Sequence, residues 1–355
     1  MRLIKAGVIG ATGYTGSEIV RILSQHPHVQ ISLITSESRA GEKFSDVHPF
    51  FRGIVDDVLY TASKVEEMEL DVLFLALPHG VSMEYVKKFA GKESRIVDFS
   101  GDFRLASPDV YEAWYSKKHI WPQGFEHAVY GLPEINKKDI ASAKLIANPG
   151  CFPTGAVLAL APLASEGILS ESQVFIDSKT GVTGAGIKPS AVNMFSNVND
   201  NFKAYGLKKH RHTVEIEYYL EKLSGQTVRP VQFTPHLLPV DRGILTTAYI
   251  HPGESSTWKS FGADKKEGLV NRYKEFYKEM PFVRLCEKAP PSVKDVRSSN
   301  YCDIFVDYDD RTGNIIVISA IDNLVKGAAG LAVQNMNVMF DLDETEGLLH
   351  VPVHP

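Results

Sequence analysis

The sequence predicts a two-domain α/β protein. A doubly wound parallel sheet spans residues 1–150, completed by 324–355, and an α+β domain spans 151–323. Three observations carry that expectation. The chain has 355 residues, more than one compact core usually takes, since domains run to about 100–200 residues. Apolar runs alternate with helical patterns up to residue 150, the mark of a parallel sheet covered on both faces. Beyond that point apolar runs follow one another with few helical patterns between them, the mark of a mixed or antiparallel sheet.

In the first part, LIKAGVIG (3–10) reads as a buried strand. GSEIVRILSQHP (16–27) reads as a helix with Ile19, Val20 and Leu23 on one face and Pro27 just past its end. Strands are expected at 29–36, 71–78, 95–100 and 144–148, with a helix at 81–90. A helix is expected from Pro153 to about Glu166, because proline suits a first helical turn. Strands are then expected at 173–179, 228–240, 243–250, 301–308 and 314–321. The segment 327–340 is apolar enough for a buried helix, which we expect to return to the first domain.

Composition excludes several classes. Hydrophobic residues at 44% and charged residues at 23% suit a globular protein in water. A net charge of −5 and no Lys/Arg run argue against a nucleic-acid partner. Cys151, Cys286 and Cys302 are too few for a disulfide framework, which suits a reducing, cytoplasmic setting. The N-terminus shows no signal-peptide pattern. The apolar run 72–77 is far short of the roughly 20 residues of a membrane helix, so no membrane partner is expected.

Gly7, Gly10, Gly13 and Gly16 recur every three residues where the first strand gives way to a helix. Glycines let a backbone turn tightly against a pyrophosphate, and the helix N-terminus supplies N–H groups to it. That context marks a Rossmann-type dinucleotide site rather than an ordinary strand–helix turn. An acid at the end of the second strand would select NAD. Here Ser36 stands near that end and Arg39 follows within reach of a 2′-phosphate, which favours NADP. Glu37 would supply an acid if the strand ran one residue further.

LIANPGCFPTGAV (145–157) sets Cys151 at the expected start of a helix, fenced by Pro149, Gly150 and Pro153. The helix dipole and nearby N–H groups favour a thiolate there. Cys286 and Cys302 lack that context and read as packing residues. A nucleophilic cysteine needs a proton-transfer partner, which is often distant in sequence. KKHRHTVEIEYYLEKL (208–223) offers His210 and His212, with a helix from about Thr213 and His212 at its entrance. Glu215 or Glu217 would orient the ring. A Glu217 pairing requires His212 to lie outside the helix, since a five-residue offset does not bring side chains face to face. The His-x-His pair lacks the Cys or carboxylate cluster that a metal site needs, so no metal is expected. His79 follows a strand end on the cofactor side.

The strings GVIGATGYTG, LALPHG, VDFSGDFRL, YGLPE, ANPGCFPT, SKTGVTGAG, HRHTVEIE, FTPHLLPVDRG and DNLVKGAAGLAVQNMN together resemble the N-acetyl-gamma-glutamyl-phosphate reductases of arginine biosynthesis, in order from about residue 4 to 340. The resemblance implies NADPH-dependent reduction of an acyl phosphate to N-acetylglutamate semialdehyde, and a catalytic domain of the aspartate-semialdehyde-dehydrogenase/GAPDH-like type. It implies a homo-tetramer or homo-dimer. Carried over residue by residue, it implies Cys151 as nucleophile, His212 as acid/base and Glu217 as its orienting partner. Arg104 and Asn148 would hold phosphate, and Arg211 and Arg242 the substrate carboxylate. Cofactor contacts would come from Gly10, Thr12, Gly13, Tyr14, Thr15, Gly16, Ser36, Arg39, Pro78, Gly181, Gly184 and Asn323. GAGIKPS departs from the family's GAGR, leaving Lys188 as a substitute for that arginine. The same chemistry on N-succinylglutamyl, aminoadipyl or aspartyl phosphate is an alternative, as is an NADP-binding regulator without chemistry.

Overall fold

A computed structural model describes residues 2–253 and 256–354, and the chain divides into two compact units. The first runs to Pro149 and is completed by Ala328–His350. The second is Gly150–Gly327, joined by the residues from Val351, where Val353 N donates to Arg297 O at 2.9 Å.

The first unit is built on β1 (Ile4–Ile9), β2 (Val29–Thr35), β3 (Val72–Leu75), β4 (Arg95–Asp98), β5 (Ala128–Tyr130) and β6 (Leu145–Ala147). All pair in parallel, in the order β2-β1-β3-β4-β6-β5. The doubly wound sheet expected from the alternation is therefore present. The order reverses between β1 and β3, the kind of switch point at whose carboxyl end such sheets bind ligands. β3 reads as an unbroken apolar run because both its faces are covered and all four residues are buried. The first helix is Tyr14–Leu23, shifted toward the N-terminus from the expected 16–27. Bonds from Gln25 N to Ile22 O and from His26 N to Leu23 O tighten its last turn and end it well before Pro27.

Helix Gly330–Met339 has all ten residues buried, three of them polar amides. Each amide has partners. Gln334 Nε2 donates to Glu134 and Glu344, Asn335 Nδ2 to Gly131 O and Asn148 Oδ1, and Asn337 Nδ2 to Glu344 O and Glu346 O. Those bonds let polar groups sit in a core, with Asn335 Oδ1 the one amide oxygen of the three left without a partner among the described residues.

The second unit is a seven-stranded mixed sheet. Its strands are β7 (Gln173–Thr180), β8 (Lys203–Ala204), β9 (Gln232–Leu237), β10 (Ile244–His251), β11 (Val283–Leu285), β12 (Cys302–Asp309) and β13 (Asn314–Ile321). Their order is β11-β12-β13-β10-β7-β9-β8. One face packs on helix Cys151–Ser165, in which Phe152 through Ala164 are all buried. Helix Lys265–Tyr277 backs it, with Tyr273 OH donating to Ala159 O at 2.7 Å and Tyr277 OH donating to Leu158 O. The other face carries Phe175 and Tyr249, 48% and 42% exposed, in register with each other and with Ile316.

Helices Pro108–Tyr115, Pro133–Ser142 and Lys265–Tyr277 were not anticipated, although two carry readable caps. Ser107 accepts from Val110 N at 3.3 Å, and Asp264 accepts from Glu267 N at 2.9 Å. The expected 327–340 helix is a π-turn at Val325–Ala329 followed by the α-helix. Among the described residues no helix is long and apolar enough to cross a membrane.

Candidate active site

The four glycines of the first loop do different jobs. Gly10 has φ +84°, and a Cβ there would lie 2.5 Å from Ala76 O at the end of β3. A Cβ on Gly16 would lie 2.3 Å from Gly10 O, so helix and loop touch through backbone. A Cβ on Gly7 would meet Leu70 and Leu73 side chains at 2.9 and 3.0 Å, a packing constraint. Around Gly13 only Gly10 O comes within 4 Å, at 3.9 Å, which leaves its backbone open to a close ligand. Gly13 caps helix Tyr14–Leu23 without a side-chain bond, and the first turn holds no acid. Tyr14, Thr15 and Gly16 thus lie in a first turn that suits a pyrophosphate. Pro78 is exposed just beyond β3, beside the switch point.

β2 stops at Thr35, so its end presents Ser36. Ser36 Oγ and Thr12 Oγ1 are 3.0 Å apart, linking the glycine loop to that end. Glu37 is already engaged, its Oε1 accepting from Ala62 N at 2.9 Å. Arg39 is exposed and holds Glu42 at 3.1 and 3.2 Å. The cation therefore stands at the surface while the nearby acid is occupied by backbone.

The thiol lies in the second unit. Cys151 is half-buried and is the first residue of helix Cys151–Ser165, with Gly150 as its cap. The first turn includes Pro153, which needs no N–H there. His212 opens helix His212–Ser224, one residue earlier than expected. Its ring lies against Gly150: a Cβ on Gly150 would be 2.5 Å from His212 Nε2. Glu215, fully buried, accepts from Gly150 N at 2.8 Å. His212 and Glu215 are three residues apart on one helical face, and both converge on the residue before the thiol. Gly327, on the π-turn, presses on the thiol from another side, since a Cβ there would meet Cys151 Cβ at 2.9 Å.

This placement corrects the expectation for Glu217. With His212 inside the helix, the five-residue offset turns Glu217 away. Its Oε1 accepts from Val231 N at 3.0 Å, and burial raises its pKa above the usual carboxylate value. Glu215 takes the position facing the site, and the three-residue spacing from His212 was the available signal.

The two histidines also divide their roles. His210 Nδ1 accepts from His212 N at 3.2 Å, fixing the helix entrance. Its ring meets Phe152, His212 and Phe233 at 5.5, 4.8 and 5.5 Å between centroids. Burial, then the Arg211 charge, holds His210 down to about 4. It is therefore neutral near pH 7, an acceptor rather than an acid. A folded pKa below the unfolded value means that the unfolded chain binds the extra proton between about pH 4 and 6.5. Stability is lost as pH falls through that window, by about 2 kcal/mol between pH 7 and pH 5. In His210→Asn, Oδ1 keeps an acceptor for the His212 amide and the titration is gone. Urea midpoints should show the native chain losing that much more stability than the variant over the same step. Parallel profiles would contradict the assignment.

Comparison with known proteins places the chain. Residues 5–143 match the family model "Semialdehyde dehydrogenase, NAD binding domain", and 151–323 match "Semialdehyde dehydrogenase, dimerisation domain". N-acetyl-gamma-glutamyl-phosphate reductase of Desulforudis audaxviator is 44% identical over 361 residues, covering 99% of this chain and 100% of that one. The same-named protein of Methanocaldococcus jannaschii is 45% identical over 353 residues, covering 99% of each. The chain belongs to the N-acetyl-gamma-glutamyl-phosphate reductase family. Among solved structures, aspartate semialdehyde dehydrogenase II of Vibrio cholerae, complexed with ASA, superposes with a TM-score of 0.71 at 16% identity, covering 96% of this chain and 99% of that one. Aspartate semialdehyde dehydrogenase of Candida albicans, with NADP, gives 0.66 at 18%, covering 95% and 98%. At that identity these two likenesses concern the fold.

Several residues carried over from the family resemblance also hold the local structure. Asn148 is fully buried, its Nδ2 donating to Ala328 O at 3.2 Å and its Oδ1 accepting from Asn335. These bonds tie the amide oxygen and one of its two N–H groups to the helix packed beside it. Arg104 is 4% exposed, with Nη2 donating to Phe99 O. Gly181 is needed for packing, since a Cβ would lie 2.6 Å from Asp241 O. Asn323 Oδ1 accepts from Gly243 N at 2.8 Å and its Nδ2 donates to Thr183 Oγ1 at 3.0 Å. Gly184 has only Thr180 Oγ1 nearby, at 3.5 Å. Arg242 Nη1 is 3.6 Å from buried Asp322, whereas Arg211, at the cap of the His212 helix, is exposed. Lys188 is exposed on a loop that Asn193 braces by donating to Lys188 O at 3.0 Å. His79 Nδ1 accepts from Gly101 N at 2.7 Å, and Lys117 Nζ donates to His79 O at 2.8 Å, so it anchors the loop after β3.

Proposed function

We propose that the chain catalyses NADPH-dependent reductive dephosphorylation of N-acetyl-gamma-glutamyl phosphate to N-acetylglutamate 5-semialdehyde, a reading supported by relatives named N-acetyl-gamma-glutamyl-phosphate reductase. The observation that carries the mechanism is the convergence of His212 and Glu215 on Gly150, next to a thiol at a helix start. Cys151 attacks the acyl carbon and expels phosphate, giving a thioester and splitting one hard step into two. First-turn amides of helix Cys151–Ser165 face charge that develops on the acyl oxygen. When bound, NADPH would supply the hydride that takes the thioester to the aldehyde level and releases the Cys151 thiolate. Gly10, Thr12, Gly13, Tyr14, Thr15, Gly16 and Ser36 would hold the dinucleotide, with Arg39 at the 2′-phosphate. His212 moves the proton between sulfur and substrate oxygen, a contribution of about 10²–10⁴-fold. Arg211 is the exposed cation for the substrate carboxylate.

The working form is a homo-dimer joined through the open face of the seven-stranded sheet. Phe175, Tyr249 and Ile316 lie side by side there, and Phe175 and Tyr249 are exposed to a degree that a sheet face in water seldom tolerates. Three free cysteines suit the cytoplasm.

Turnover of purified chain on N-acetyl-gamma-glutamyl phosphate, beside the N-succinyl, aminoadipyl and aspartyl analogues, tests the substrate. The N-acetyl compound should be preferred. No activity on it, with activity on another acyl phosphate, would replace the substrate but keep the chemistry. NADPH binding without turnover of any would point to a regulator.

A further inference from the structure

We propose that Asp102 is a positioning residue for the cofactor, whose buried carboxylate holds the loop after β3 in the shape that receives NADPH. The proposal rests on the reading of that loop and the glycine loop as the dinucleotide site of the first unit.

The loop runs from Ala76 to Val81, between β3 and helix Ser82–Phe89. It lies against the glycine loop. Ala76 N donates to Ile9 O at 2.9 Å, and a Cβ on Gly10 would lie 2.5 Å from Ala76 O and 3.3 Å from Leu77 Cδ2. A shift in one loop therefore reaches the other. The chain turns at Gly80, φ +79°. Val81 N and Ser82 N both donate to Pro78 O, at 3.1 and 3.3 Å, which closes the turn on itself without fixing it to the sheet.

The segment after β4 fixes it. Asp102 is fully buried. Its two oxygens accept from Gly80 N at 2.8 and 3.0 Å, and Oδ2 accepts from Met83 N at 3.0 Å. Met83 is in the first turn of helix Ser82–Phe89, where the cap residue, Val81, makes no side-chain bond. A carboxylate 19 residues away thus caps the helix. Tyr111 OH donates to Oδ1 at 2.9 Å, from a ring stacked 4.6 Å from that of Tyr115. Asp102 N donates to Ser100 Oγ at 3.1 Å, and that hydroxyl donates to Asp98 Oδ2 at 2.6 Å. Asp98, also fully buried, accepts from the Ser82 hydroxyl, and Gly101 N donates to His79 Nδ1 at 2.7 Å. Each of these bonds joins the loop or its helix to the segment from Asp98 to Asp102.

The carboxylate form matters as much as the shape. An amide at this position has one acceptor oxygen. Because both oxygens meet Gly80 N, the amide N–H2 would face that N–H in either orientation, at 2.8 or 3.0 Å. Two donors cannot share the contact, so the Gly80 backbone must move.

The test is Asp102→Asn in the full chain, with NADPH affinity from fluorescence titration and steady-state kinetics on the acyl phosphate. A loop in the receptive shape a tenth of the time raises the apparent Kd about tenfold. We expect that loss, with kcat at saturating NADPH and KM for the acyl phosphate within about threefold of native, because bound cofactor restores the loop. Hydrogen exchange in the peptide spanning Leu77 to Met83 should quicken in the variant and return to the native rate with NADPH. A purely structural role would lower the amount of folded enzyme and leave the Kd of the folded fraction native, and a native Kd overturns the proposal. If Asp102→Asn does not fold, Gly80→Ala displaces the same backbone while both carboxylates stay. Its Cβ meets only the far end of the Lys117 side chain, at 2.6 Å from Cδ, but φ +79° strains it. The same rise in Kd is expected there, and a native value would equally overturn the proposal. A native chain that binds no NADPH would instead defeat the reading of the site itself.

Discussion

Cys151→Ala should lower phosphate-dependent oxidation of N-acetylglutamate semialdehyde by at least about 10⁴-fold while NADPH binds as before. The magnitude follows from covalent catalysis, where loss of the nucleophile removes the whole acyl-enzyme route and leaves only what binding and fixed donors provide. The selectivity follows from location. Cys151 belongs to the second unit, while the open backbone at Gly13 and the uncapped helix at Tyr14 belong to the first. The side chain is half-buried at a helix start, so alanine leaves little cavity and the fold should survive. Fluorescence titration with NADPH and a steady-state assay in the oxidative direction measure the two halves. Turnover within tenfold of native would remove Cys151 from the mechanism.

Gly150→Ala should cost about 100-fold in kcat with little change in thermal stability. The backbone at Gly150, φ −68° and ψ 151°, is one that alanine adopts freely, so strain does not enter. The new Cβ would instead lie 2.5, 2.8 and 2.9 Å from Nε2, Cδ2 and Cε1 of His212. The ring must move, and a displacement of about 1 Å at a catalytic group is worth about 10²-fold. A cycle with His212→Ala separates this from a general disturbance. If Gly150→Ala acts through the ring, the double variant should be no slower than His212→Ala alone. Additive losses, or a native rate for Gly150→Ala, would mean that His212 does not work from this position.

The glycine loop was legible because its signal is local. Gly10 and Gly16 are demanded by backbone within a few residues or at the adjacent strand end, and their spacing records that directly. The end of β2 was legible for the same reason, and Ser36 and Arg39 stand where the strand reading put them. Cys151 was marked by its flanking Gly and Pro. Glu217 misled because the helix starts one residue earlier than Thr213, and a shift of one residue rotates every later side chain by about 100° around the axis. Motif position says nothing about burial, and Asn148 and Arg104 each hold a backbone carbonyl in the structure.

By itself the sequence determined the doubly wound sheet and the glycine loop, and it singled out Cys151 as the candidate thiol. Each is written as a periodicity or a spacing within a few residues. It also offered His210 and His212, and the family resemblance pointed to His212 as the acid/base. Only the tertiary structure decided that His210 is half-buried and neutral, and that Glu215 and not Glu217 reaches the residue before the thiol. The contact between Gly150 and Glu215 spans 65 residues. Long-range contacts of that kind come from the packing of one helix on another, and no local pattern records where a packed helix places its side chains.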